Sequence, residues 1–114
     1  MNLVDQMKVV HATNFSFYLK AHFFHWNVEG PMFLQFHELF GKIYEDTQDA
    51  IDDIAEHIRA IKAYAPGSLS RFQTDTKVAD QIEVIPAIDM VQTLSSDNDT
   101  LLTELLKAQK MAEV

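Results

Sequence analysis

The chain has 114 residues, 47% hydrophobic and 23% charged, which suits one domain spanning 1–114 around one core and argues against disorder. It contains no cysteine, so a disulfide framework, a thiolate nucleophile and a thiolate metal site are excluded, and any metal must be held by His, Asp or Glu. The net charge is −8, with nine scattered Lys and Arg and no basic tail; a field of that sign attracts cations and disfavours general electrostatic binding of nucleic acid.

The first residues, MNLVDQMKVV, lack the basic start and apolar stretch of an export signal, and no apolar run is long enough to cross a bilayer. The chain therefore reads as soluble and cytoplasmic, with no membrane partner. Leu3, Met7, Val10, Asn14, Phe17, Ala21, Phe24 and Val28 recur at spacings of four and three, predicting a helix from near the N-terminus to Gly30-Pro31. His11, Tyr18, His22 and His25 form a second stripe beside that core face.

Pro31 suits the first turn of a second helix. That helix carries Phe36, Phe40, Ile43, Thr47, Ala50, Ile54, Ile58 and Ile61 as its core stripe and stops by Pro66-Gly67. Two long helices joined by a tight turn predict an antiparallel hairpin. Residues 66–86 form a connector in which Ser68 can cap a short helix to about Thr74, with Leu69 and Phe72 as apolar contacts. A third long helix is predicted from about Pro86, with Ile88, Val91, Leu94, Leu101, Leu105 and Ala108 on one face and a polar run, Ser95 to Thr100, that can kink it. No strand pattern or repeat is present, so the class is all-α.

The segment His25 to Glu56 carries the chemistry. His25, His37, Asp52 and Glu56 are the donor types that suit a borderline metal such as iron. On a helical wheel with His37 at zero, Asp52 falls at about 60° and Glu56 at about 100°, while the apolar stripe centres at about −90°. Asp52 and Glu56, four residues apart, can share a cation. His37 cannot join them within one helix, because nineteen residues at about 1.5 Å each separate it from Glu56 by roughly 28 Å. Two copies packed antiparallel about a two-fold axis near residues 46 and 47 resolve this: His37 of one faces Glu56 of the other, residue 41 faces Asp52, and each dimer owns two identical sites. Other packings stay open on spacing alone. A lone His beside Trp is more often a packing residue than a ligand, and an exposed Asp/Glu pair is more often simply solvated. His11, His22 and His57 read as helix-surface or interface residues, with His22, one turn before His25, the auxiliary candidate.

The residues HWNVEGPMF, then His37-Glu38, then DDIAEHI resemble the signature of the Dps miniferritins, the DNA-binding proteins from starved cells of the ferritin-like superfamily. The likeness runs ungapped from about Ala21 to Ile61 and continues weakly at MVQTLSSDNDTLLTELL. It implies a ferritin-like helical bundle with a short connector helix, assembled as a dodecamer built on two-fold dimers. It also implies oxidation of Fe²⁺ by peroxide or oxygen, storage of the ferric product and protection against oxidative stress. His25 and His37 would be iron ligands from one subunit, Asp52 and Glu56 from its mate, and Trp26 a neighbour that quenches oxidants.

Three departures stand out. Where the family usually has an Asp, this chain has Gly41; Glu45, one turn on, is the candidate substitute, and a degraded site in a non-catalytic assembly protein is the alternative reading. Three long helices and a connector helix are expected with the fourth bundle helix missing, as in a fragment ending at Val114 or a three-helix remnant. The family's lysine-rich N-terminal tail is absent, which makes DNA binding, and a role as a nucleoid-associated protein, doubtful.

Overall fold

In the computed structural model, which describes residues 2–113, four helices follow one another: α1 (Leu3–Asn27), α2 (Phe33–Ala60), α3 (Leu69–Asp75) and α4 (Ala87–Ala112). Three have 25, 28 and 26 residues and one has seven. This count corrects the expectation of a fold whose fourth helix is missing. The short α3, read from sequence as a connector, is packed into the fold: Phe72 is buried, stacked on Phe15 with ring centroids 4.5 Å apart and set edge-on to His11 at 5.1 Å. The expectation that turned on the chain's end at Val114 lies outside the described residues.

Local chemistry explains the helix ends. The Asn2 side chain accepts the Asp5 N–H at 2.9 Å and caps α1, satisfying a donor the first turn leaves unpaired. Gly30, at φ +112°, makes the turn into α2 in a region that side chains avoid. Pro31 lies in that turn, and α2 begins two residues later at Phe33. At its other end α2 stops at Ala60, before Pro66, where Lys62 takes a left-handed φ of 67°. Ser68 caps α3 as expected, accepting the Arg71 N–H at 3.3 Å, but Leu69 points outward and only Phe72 packs.

Helix α1 is the central element, packed against α2, α3 and α4. The core joins Phe17, Ala21, Phe24 and Val28 to Phe40 of α2 and Met90, Leu94 and Leu101 of α4. Because α1 has neighbours on several sides, it also buries polar residues, each bonded to a distant part of the chain. Gln6 donates to the Glu104 carbonyl at 3.0 Å and its carboxylate at 3.1 Å. Lys20, only 5% exposed, reaches Asp97 at 2.8 Å. Asp97 belongs to the polar run expected to kink the last helix, yet α4 is continuous through it, because the run supplies the inward-facing partner that a buried lysine requires. Along α4 the inner face is Met90, Leu94, Leu101, Glu104 and Ala108, while the expected Ile88 and Leu105 are exposed. No described helix is long and apolar enough to cross a membrane.

Candidate metal centre

The last turn of α1 and the first turns of α2 meet across the Gly30 turn, and there the two predicted histidines lock onto each other's backbone. His25 Nδ1 lies 2.7 Å from the His37 carbonyl, and His37 Nδ1 lies 2.8 Å from the His25 carbonyl. A carbonyl only accepts, so each Nδ1 carries the hydrogen and donates it. In the neutral rings this leaves the Nε2 lone pairs free, the arrangement that orients and strengthens an imidazole ligand. The rings stack at 3.8 Å with 19° between their planes, and Phe33 stacks on the outer face of His37 at 5.1 Å. Gly41 sits under this pair: a Cβ built there would lie 3.3 Å from both Cε1 and Nδ1 of His25.

His22 extends the cluster. Its ring lies flat on Tyr44, with centroids 3.9 Å apart and planes 5° apart, and against Trp26 at 4.2 Å; its Nδ1 is 3.1 Å from the Tyr18 hydroxyl. Desolvation in this stack pushes the His22 pKa below its ordinary value, and the neighbouring His25 adds to the effect. Trp26 is 59% exposed at the edge of the stack.

The other predicted ligands lie elsewhere. Asp52 and Glu56 are exposed on the C-terminal half of α2, Glu45 is exposed near its middle, and none of the three enters an ion pair among the described residues. Among the described residues no group of three or more His, Asp or Glu side chains is close enough to hold a metal. One chain thus stacks His25 on His37, with the His22 ring 6.1 Å from that of His25, and leaves Asp52 and Glu56 far along α2. As a test of fit, the imidazole half has the donor chemistry iron needs, while the anionic half is absent from the same place.

Sequence reasoning missed two features. Tyr18 and Tyr44 brace His22; the i, i+4 spacing of Tyr18 and His22 was visible, whereas Tyr44 had no signal beyond lying seven residues after His37. His11, expected at a helix surface or interface, is buried at 4% exposure, with Nε2 2.9 Å from the Pro66 carbonyl. The reason is again the central place of α1, which buries faces that a single apolar stripe does not mark. Its Nδ1 has no partner among the described residues, and desolvation pushes the His11 pKa below its ordinary value against the opposing pull of the Pro66 carbonyl.

A family model for the ferritin-like domain matches residues 5–114. The chain belongs to the ferritin-like family. Within it, the similarity is to Dps proteins. DNA protection during starvation protein 2 of Bacillus anthracis is 31% identical over 84% of this chain and 66% of its own length. The Brevibacillus brevis protein of that kind is 31% identical over 84% of this chain and 64% of its own length. The chain therefore spans slightly under two thirds of these relatives. The Dps crystal structure from Vibrio cholerae O1, a member of a broad superfamily of ferritin-like diiron-carboxylate proteins, superposes with a TM-score of 0.93 at 26% identity, over 97% of this chain and 70% of that one. Staphylococcus aureus Dps gives 0.91 at 29% identity, over 97% and 74%.

Proposed function

We propose that this chain is a Dps-like iron-binding protein that takes up Fe²⁺ at sites shared between two copies, oxidises it and passes it on for storage as ferric iron. The observation that carries this reading is the division of donors along α2. Two imidazoles with anchored Nδ1 and free Nε2 stand at one end, and two exposed carboxylates stand at the other. Antiparallel pairing of α2 with a second copy brings His25 and His37 of one to Asp52 and Glu56 of the other, twice per dimer. The imidazoles capture Fe²⁺; the hard carboxylates favour Fe³⁺ and so lower the cost of losing an electron. With peroxide as oxidant, each of two Fe²⁺ gives one electron, the O–O bond breaks, and two protons complete two water molecules.

A second reading is favoured by Gly41, which puts no carboxylate beside His25. In that reading the assembly persists and oxidation is slow. Anaerobic Fe²⁺ titration followed by peroxide separates the two: a ferric-oxo absorbance that rises promptly and disappears in His25→Ala/His37→Ala supports the oxidase reading, and Fe²⁺ that binds without oxidising supports the second. The acidic surface gives DNA no general electrostatic hold, so no gel shift is expected at physiological salt.

A further inference from the structure

Among the described residues, the only buried side-chain nitrogen or oxygen without a hydrogen-bond partner is His11 Nδ1. Its ring, 4% exposed on α1, has Nε2 2.9 Å from the Pro66 carbonyl. A carbonyl only accepts, so Nε2 carries the hydrogen and Nδ1 is a bare lone pair with no donor. Phe72 of α3 stands edge-on to the ring at 5.1 Å and is itself stacked on Phe15 at 4.5 Å. One neutral imidazole thus holds two parts of the chain against α1: the segment just past α2, through Pro66, and α3, through Phe72.

A second proton has only Nδ1 to go to. There it creates a buried charge and an N–H with no acceptor, which a folded chain avoids by staying neutral or by moving. The charged groups of the surrounding elements offer no relief. One turn back on α1, Lys8 is itself a cation. In α3, Arg71 lies 3.7 Å from Asp75. At the end of α2, Arg59 lies over the Tyr64 ring, and His57 and Lys62 are exposed. In α4, Glu104 accepts from Gln6 and Lys107. The lowered His11 pKa accordingly has no charged neighbour among its causes, only burial and the weaker, opposing Pro66 carbonyl.

We infer that His11 is a proton-operated latch: charging its ring releases Pro66 and lifts α3 from α1, uncovering the face that Phe72 covers. In the released state the imidazolium reaches water and titrates at the ordinary value of about 6.5; in the docked state it titrates lower. Docking is therefore at full strength above that ordinary value. Below it, the opening equilibrium rises by about 10-fold per pH unit until the docked value is reached.

The test is NMR hydrogen exchange on the full chain, read at three amides. The Lys77 N–H bonds Thr13 Oγ of α1 at 3.1 Å and reports docking of the segment after α3. The Phe72 and Thr76 N–H groups bond the carbonyls of Ser68 and Phe72 and report α3 itself. After correction for the intrinsic pH dependence of exchange, their opening should be flat above about pH 6.5 and climb about 10-fold per unit below it. The climb should coincide with titration of the His11 ring, while amides in the middle of α4 do not respond. His11→Gln keeps a donor for Pro66 and does not titrate, so its profile should be flat. If that variant fails to dock α3 at any pH, the two curves of the parent decide alone, and coincidence supports the latch. A parent whose opening is independent of pH, or whose His11 ring charges while the three amides stay protected, would overturn the inference. So would a pH dependence that persists undiminished in His11→Gln.

Discussion

The two ends of α2 are built differently. At the N-terminal end, His37 and Gly41 are half-buried or buried, held against α1 by two reciprocal ring-to-carbonyl hydrogen bonds and an imidazole stack. At the C-terminal end, Asp52 and Glu56 are exposed and enter no ion pair among the described residues. One end is organised by the chain itself; the other offers charge to whatever comes next. Two imidazoles can be oriented inside one chain, where backbone carbonyls fix them. Two carboxylates held next to each other repel until a cation arrives, and so are left in water.

Replacing the donors in pairs gives the largest effects and can break this comparison. His25→Ala/His37→Ala and Asp52→Asn/Glu56→Gln should each weaken Fe²⁺ binding by at least about 100-fold in anaerobic titration, more than loss of an orienting partner alone. Their effects on folding should differ. The first pair removes two half-buried hydrogen bonds and should cost about 1–3 kcal/mol in urea unfolding; the second changes exposed side chains and should stay within about 0.5 kcal/mol. Equal losses of stability would show that the two ends are not built as described.

A smaller effect sharpens the role of residue 41. Gly41→Asp and Gly41→Ala both bring a Cβ against His25, so their difference isolates the carboxylate. In the proposed antiparallel dimer that carboxylate would face Asp52 and add an anionic ligand, and the Asp variant should bind Fe²⁺ about 10-fold more tightly than the Ala variant, since attraction scales with charge. Glu45→Gln should weaken binding in the parent more than in Gly41→Asp if Glu45 already substitutes. Equal affinities for the Asp and Ala variants would place residue 41 outside the site.

The smallest expected effect concerns pH. His11 fastens the chain just beyond the C-terminal end of α2, through Pro66. Its pKa is lowered in the folded state by desolvation, so the unfolded chain binds the proton more readily. Stability from this group is therefore complete above the ordinary histidine pKa and lost as pH falls through it toward the lower folded value. Hydrogen exchange should show the connector at residues 61–68 loosening between about pH 7 and 5, with the loosening flattened in His11→Gln. A connector whose protection is independent of pH would remove His11 from this role.

The helices were legible because apolar residues at spacings of three and four mark them, and Ser68 marked the start of α3. What periodicity could not convey was how many neighbours each helix has. One stripe on α1 predicted one buried face, yet contacts with three helices also bury His11, Gln6 and Lys20. The partners of those polar residues lie 55, 98 and 77 positions away, beyond any local pattern. The candidate donors were legible as residue types, and helical rise alone separates His37 from Glu56. The reciprocal bonds between His25 and His37 depend on how two helix ends meet across a turn. Spacing in one dimension does not contain that.

The shared site is tested most directly by mixing two defective chains. One carries His25→Ala/His37→Ala and the other Asp52→Ala/Glu56→Ala, differently tagged so that the mixed dimer can be purified. If ligands come from opposite copies, that dimer holds one site with all four donors and one with none. Anaerobic titration should then give half the parent's iron stoichiometry at parental Fe²⁺ affinity, with neither homodimer binding tightly. A mixed dimer with no site of parental affinity, its two weakened sites keeping only carboxylates in one chain and only imidazoles in the other, would contradict the account, because it would place all the ligands of each site within one chain.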